Sequence, residues 1–439
     1  MSEIVSPVTH VGFRRAVSRW EIVAFSLNDV IGSGVYLLPA LVAAILGPTS
    51  MWAVVLAGFA VALLVLCFAE AGSYFDGPGG AYLYTREAFG ELVGFEVGWM
   101  TWLARVSSVA SLSVAFAQAL TYLLPQTKEG TGRTLAIVLP LLLLTAINLV
   151  GVKAGVRTAV FLAVSKILPL LLFAGVGIFY VSRTLATLPT PRTGTLGEAA
   201  LLLLFAYAGF ENTPAPAGEF KNPRRDVPFA LVANIVIVTL IYSAVQWVAL
   251  GTLPNLAGSE TPLADAARLF LGGWGGVLLT IGALLSILGT NSNTVLAGPR
   301  YLWALAADGF GPRMLTYIHP RFRTPTVAIL TQTAIALPLA LSGSFTQLAT
   351  LSVVARLATY FGTAAAVLKL RRKFPDAPNV MRTPGGPVIP IAALFLCLAF
   401  AASAETRDLI AGAIALVVGF LLYLIRRQPE ESISSDRDS

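Results

Sequence analysis

Long apolar runs, with little alternation inside them, set the pattern of this chain. No Asp, Glu, Lys or Arg occurs in 30–69, 106–127, 134–152, 229–259, 269–299, 324–355 or 383–404. A helix needs roughly 20 mostly apolar residues to cross a bilayer, so each run holds one crossing and the longest hold two. Gly47-Pro48-Thr49-Ser50 divides the first run, because these residues make a turn and not a helix interior. Set against turn residues and charges, the runs predict twelve helical spans: 21–45, 51–72, 92–124, 134–151, 158–182, 197–217, 228–252, 272–306, 325–342, 347–369, 388–404 and 408–425. Strands of about ten residues with alternating polarity, the mark of an outer-membrane barrel, are missing from the pattern. The expectation is an all-α integral membrane protein with twelve transmembrane helices. The connections at 309–323 and 370–387 are too short for a packed soluble domain.

Composition agrees with the pattern. Of 439 residues, 56% are hydrophobic and only 12% charged, against about 25% charged in soluble chains. The mean hydropathy is +0.77. A formal charge of +7 could point to nucleic acid, but the placement of the basic residues excludes that partner. With twelve spans, 21 of the 30 Lys and Arg fall on the side of the N-terminus and six on the other, leaving Arg105, Lys166 and Arg356 inside spans. That bias predicts cytoplasmic N- and C-termini and a protein of the cell membrane, with the lipid bilayer as its solvent. The segment 1–20 is polar and basic without the short apolar core of a cleaved leader. It reads as a cytoplasmic N-terminal segment, and 426–439 as a cytoplasmic tail. Cys67 and Cys397 both lie in apolar runs, so neither a disulfide framework nor a thiolate metal site is expected.

Two spans cannot run as uninterrupted helices. Gly32-Ser33-Gly34 sits in the middle of span 1, and two glycines there disfavour helix by about 1 kcal/mol each. Small residues also serve close helix packing, so this triplet alone leaves both readings open. Span 6 carries Ala208-Gly209-Phe210-Glu211-Asn212-Thr213-Pro214-Ala215-Pro216, with two prolines. Interruptions in spans one and six are the placement expected when spans 1–5 and 6–10 form inverted repeats. Irregular backbone at membrane depth survives only where protein encloses a cavity. Its freed groups then become partners for a ligand: helix N-termini for a carboxylate, unwound carbonyls for an ammonium. An amino acid carries both.

These segments resemble the amino acid–polyamine–organocation (APC) transporter superfamily along essentially the whole chain. The likeness rests on Ile31-Gly32-Ser33-Gly34-Val35-Tyr36 with Leu38-Pro39, on Gly77-Pro78-Gly79-Gly80-Ala81-Tyr82-Leu83-Tyr84, and on Ala88-Phe89-Gly90. It continues in Phe205-Ala206-Tyr207-Ala208-Gly209-Phe210-Glu211, in Gly218-Glu219-Phe220-Lys221-Asn222-Pro223, and in Arg300 with Asp308-Gly309. The resemblance implies two five-helix inverted repeats, 21–182 and 197–369, with helices 1 and 6 interrupted. Two peripheral helices, 388–425, follow. It implies secondary active transport of amino acids by alternating access, with substrate held at Ile31, Gly32, Ser33 and Gly34 and at Phe205, Ala208, Gly209 and Phe210. Span 6 departs from some members in carrying Phe205 where they have a larger indole gate. Lys166 matches a lysine seen in many members, in the place that sodium occupies in sodium-coupled relatives. The resemblance therefore implies proton coupling without sodium, with Thr290 beside that lysine.

Charges within spans need a reason, since one at the bilayer centre costs at least ~2.5–3.5 kcal/mol. Asp29, Arg105, Lys166, Glu211 and Arg356 lie well inside. Structural pairing is one reading for each. A role in coupling is the other, for Lys166, Asp29 and Glu211 in particular. Spans 1 and 3 flank one cavity in the implied fold, so Asp29 and Arg105 are expected to interact. An enzyme is not expected: no histidine lies in a span, no acidic pair stands at helical spacing within one, and no phosphate-cradling loop precedes a helix. No cofactor or metal is implied. The substrate stays open between a neutral amino acid, an anionic one selected by Arg105, and a cationic amine selected by Asp29 or Glu211. An amino acid or polyamine exchanger, or a transporter-like nutrient sensor, fits the same motifs.

Overall fold

The computed structural model describes residues 17–77, 79–150, 156–182, 196–217, 220–378 and 380–425, with the side chains of 156–162 left aside. Expectations for 1–16, 426–439, Pro78, Lys153, Arg183, Arg192, Gly218 and Glu219 lie outside the described residues.

The described residues form fifteen α-helices. In chain order they are α1 (Arg19–Val30), α2 (Gly34–Leu46), α3 (Ser50–Ser73), α4 (Gly80–Phe89), α5 (Glu91–Leu120), α6 (Gly130–Val150), α7 (Val156–Gly177) and α8 (Leu196–Tyr207). Then come α9 (Pro223–Thr252), α10 (Pro262–Leu271), α11 (Gly273–Ala307), α12 (Thr326–Ser342), α13 (Phe345–Lys373), α14 (Val388–Ala402) and α15 (Thr406–Leu424). Among the described residues, eight helical segments are long and apolar enough to cross a membrane, and α8, α12 and α14 are shorter apolar helices. One of the eight, Gly34–Ser73, has 40 residues. That is twice the length a crossing needs, and the turn Gly47–Thr49 divides it into α2 and α3.

Large apolar side chains such as Leu56, Phe59, Leu139, Leu168, Leu240 and Leu421 lie exposed on the outer faces. An apolar outer surface of this extent belongs in lipid and not in water. The protein is a multi-pass membrane protein.

Local sequence explains where the helices begin and stop. At the start of α1, the Glu21 carboxylate accepts hydrogen bonds from the Ser18 amide (2.8 Å) and hydroxyl (2.7 Å), closing the first turn. The centre of the bundle is α5, packed against α11 and α13. Its small residues Ser107, Ser108, Ala110, Ser111 and Ala115 are buried and let neighbouring backbones approach. Hydroxyl pairs Thr101–Thr359 and Ser108–Ser352, each at 2.8 Å, tie it to α13.

Two helices fall where the sequence predicts connections. α4 and α10 have ten residues each, too short to register against a bilayer-length template. α10 starts on Pro262 at its first position and buries Leu263, Ala264, Ala266 and Ala267 while Leu269 stays exposed. Span 6 also differs in form. Among the described residues beyond Tyr207 no α-helix resumes before α9; the chain passes through the 3-10 turn Phe210–Asn212 and further turns to Ala217. Pro214 and Pro216 remove the donors that a second half-helix would need.

Candidate functional site

The break in span 1 leaves α1 at Val30 and restarts as α2 at Gly34. Its freed carbonyls are met by side chains from three other helices, as buried backbone requires. The Lys166 ammonium on α7 is fully buried and donates to Asn28 O at 2.7 Å, Ile31 O at 3.1 Å and Thr290 Oγ1 at 3.0 Å. The Thr290 hydroxyl on α11 lies 3.2 Å from both Asn28 O and Ile31 O, and Ser286 Oγ donates to Ile31 O at 3.0 Å. From α9, Tyr242 Oη reaches Val30 O at 3.3 Å and Ala206 O at 3.1 Å, so one hydroxyl spans both interruptions.

The second interruption is organised by a charge pair. Glu211 Oε1 accepts from Arg356 Nε at 2.7 Å, and Oε2 accepts from the Gly209 amide at 2.8 Å and Tyr360 Oη at 3.2 Å. The same guanidinium donates to Ser108 Oγ at 2.9 Å and to Ser352. Gly209 has φ +124°, and a Cβ there would stand 2.8 Å from Asp29 O. This position therefore needs glycine both for its backbone conformation and for the close approach of the two unwound segments. Asn212 donates to Asp29 Oδ2, which links them again.

Between the two interruptions lies a small cavity lined by Asp29, Gly32, Ser33, Gly34, Arg105, Ser108, Phe205, Ala208, Gly209, Asn212, Thr290 and Arg356, among others. It is small, with room for roughly two waters. The cavity is thus smaller than an amino acid in this conformation, and a ligand of that size needs the helices around it to part.

Most of the residues singled out in the sequence meet here. Gly32, Ser33, Gly34, Phe205, Ala208 and Gly209 line the cavity, with Asp29, Thr290, Arg105 and Arg356. Ile31 does not line it; its carbonyl serves Lys166, and Lys166 itself stands behind the break. Phe210 points away, with its ring centre 5.4 Å from that of Phe68 and 5.3 Å from that of Tyr360. Glu211 is absorbed by Arg356. The expected interaction of Asp29 and Arg105 is an attraction across the shared cavity and not a contact, since the Asp29 carboxylate is hydrogen-bonded by the Asn212 amide. Gly34 has a reason beyond ligand space. A Cβ there would come within 2.7 Å of Ala206 Cα, so any side chain pushes α2 off α8.

Asn212, Ser108, Tyr242, Ser286 and Tyr360 were not legible as site residues. A signal existed for Ser108: Arg105, Ser108 and Leu112 recur at i, i+3 and i+7, one face of α5, and all three line the cavity.

Polar links close the end of the bundle near the start of α1. Arg19 pairs with Asp226 at 2.9 Å and lies 4.7 Å from the Phe229 ring centre, and the Lys221 amide donates to Val17 O at 3.1 Å. Close to the C-terminal end of α11, Tyr82 Oη donates to Asp308 at 2.5 Å. Burial, together with that bond, holds the Tyr82 hydroxyl well above the usual tyrosine range, so it stays protonated and donating.

A family model described as amino acid permease matches residues 17–421. The chain belongs to that family, within the APC superfamily. As a permease it is a transporter and not an enzyme. It is 29% identical to the methylthioribose transporter of Bacillus subtilis, over 94% of this chain and 93% of that one. It is 26% identical to a branched-chain amino acid permease of the same organism, over 94% and 93%. A third relative there, a serine/threonine exchanger, is 28% identical over 93% and 95%.

Proposed function

We propose that this permease is a secondary active amino-acid transporter of the cell membrane, working by alternating access and coupled to protons, with no need for sodium. The observation that carries this reading is the small cavity between two interrupted helices, with the Lys166 ammonium on the freed carbonyls of the first. The start of α2 offers unpaired amides and the end of α8 offers carbonyls, the two kinds of partner that an amino acid's carboxylate and ammonium seek. Substrate binds at Gly32, Ser33, Gly34, Phe205, Ala208 and Gly209. Lys166, with Thr290, is the coupling centre, and occupies the space a sodium ion would need. Purified protein in proteoliposomes is expected to accumulate a labelled neutral amino acid when the outside is acidified in sodium-free buffer. Uptake that ignores the proton gradient but requires sodium would sink the coupling half of this reading; failure to move any amino acid would sink all of it. Likeness to a serine/threonine exchanger favours exchange as a second mode, and counterflow from preloaded vesicles separates the two.

The proposed topology has twelve crossings: α1 with α2, α3, α5, α6, α7, α8 with its unwound extension, α9, α11, α12, α13, α14 and α15. The segments 21–182 and 197–369 are the inverted repeats, 388–425 the peripheral pair, and both termini are cytoplasmic. Support comes from the asymmetry of basic residues, 21 against six. Single cysteines at Thr131 and Ser259 are expected to react with an impermeant thiol reagent added outside intact cells, while ones at Asn222 and Asp376 stay unlabelled. Both native cysteines are buried and give little background. The reverse labelling pattern would overturn the topology.

A further inference from the structure

Among the described residues, two charges that line the central cavity, Arg105 and Asp29, make no ion-pair contact. The Arg105 side chain is buried, its guanidinium lies 5.8 Å from the centre of the Tyr301 ring, and its Nη2 has no hydrogen-bond partner. Among the described residues no carboxylate forms an ion pair with it. Asp29 is buried and met by a neutral amide. Ser33 Oγ, beside the first turn of α2, is buried and also without a partner. The remaining cations nearby are committed, Arg356 to Glu211 and Lys166 to the freed carbonyls.

These groups divide the cavity into two sides. Arg105, Ser33 and the N-terminus of α2 make one side electropositive, since a helix N-terminus carries a partial positive charge. Asp29 and the C-terminal carbonyls of α8 make the other electronegative. With Arg356 neutralised by Glu211, the remaining charges of the lining, Arg105 and Asp29, balance each other. A ligand with one anion and one cation complements both sides. A ligand without a carboxylate leaves a buried guanidinium donor unpaired, which sites of this kind penalise heavily. Among the described residues of the lining, a second carboxylate finds no free cation, since Arg356 is held by Glu211.

We propose that Arg105 receives the substrate's carboxylate, so that this permease selects net-neutral zwitterionic amino acids over amines, polyamines, dicarboxylates and uncharged solutes. The inference rests on the amino-acid reading above and names the substrate class of that site. The planar guanidinium suits a carboxylate, which it can grip through two parallel hydrogen bonds.

The test measures binding to the purified, detergent-solubilised protein with L-alanine, L-valine and L-threonine, each beside its amide and its decarboxylated amine. Wild type is expected to bind at least one acid, and to bind it at least about 10-fold more tightly than its amide. Arg105→Gln is expected to weaken acid binding by roughly 10- to 100-fold while leaving amide binding nearly unchanged, so that the preference collapses. Arg105→Lys, which keeps the charge and loses the fork, is expected to retain the preference at lower affinity. A glutamine variant that keeps the wild-type ratio of acid to amide affinity overturns the proposal. If that variant does not fold, wild type decides: binding the amide or amine as tightly as the acid overturns it. Wild-type protein that binds none of the three acids overturns the amino-acid reading itself.

Discussion

Replacing Arg356 with leucine is expected to cost about 3–5 kcal/mol of stability, the range seen when one partner of a buried ion pair is removed. Glu211 and Arg356 have side-chain exposures of only 3% and 7%, and their atoms meet at 2.7 Å. Leucine would leave the Glu211 carboxylate with two hydrogen-bond donors, the Gly209 amide and Tyr360, and no positive charge in contact. Glu211→Gln alone is expected to destabilise as well, because the Arg356 charge then stands uncompensated beside Ser108 and Ser352. Glutamine keeps an acceptor for the Gly209 amide, so the double change should recover much of the loss. Apparent unfolding midpoints of the four proteins in one detergent give the cycle. Strict additivity would show that the pair is not coupled.

The fold was largely legible, because spanning a bilayer demands long apolar runs and few other structures do. The run 30–69 needed only Gly47-Pro48 to be read as two helices. The interruption at Gly32, Ser33 and Gly34 was legible for the same reason, since glycine so placed disfavours helix. α4 and α10 were not, as ten-residue helices make no demand on a bilayer. Within the site, the identities of the buried charges were readable and their partners were not. Glu211 and Arg356 lie 145 positions apart, and nothing in either segment names the other. Asp29 and Arg105 do face one cavity, as adjacency of spans 1 and 3 suggests. Sequence could not tell that Asn212, next to Glu211 in the unwound stretch, would take the Asp29 oxygen first. Pairing depends on side-chain direction across elements, which spacing along one helix does not carry.

Hydrogen-bond partners also set an order among the candidates for proton coupling. Glu211 has both oxygens committed, one to a guanidinium. Asp29 has one oxygen on a neutral amide and faces the cavity, so it is the better alternative should Lys166 fail.

Lys166→Ala is expected to abolish the response of uptake to an imposed proton gradient in a protein that still folds and binds substrate. The ammonium donates to Asn28 O, Ile31 O and Thr290 Oγ1, three acceptors for three protons. Loss of one proton leaves two donors for those acceptors, so the shape of the break in span 1 follows the protonation of this side chain. The competing role is a structural tether among α1, α7 and α11. A tether predicts a loss of stability at every pH and no selective loss of coupling. The neighbours favour survival of the fold, since Ser286 still donates to Ile31 O and the Thr290 hydroxyl remains beside both carbonyls. Uptake into proteoliposomes at several imposed pH gradients, beside thermal unfolding over the same pH range, decides between the roles. In the alanine variant, accumulation with an acid exterior should fall to the level wild type reaches with no gradient, while exchange of labelled for unlabelled substrate continues. An alanine variant with wild-type gradient dependence would move the coupling site away from Lys166, and Asp29→Asn would then be the variant to measure.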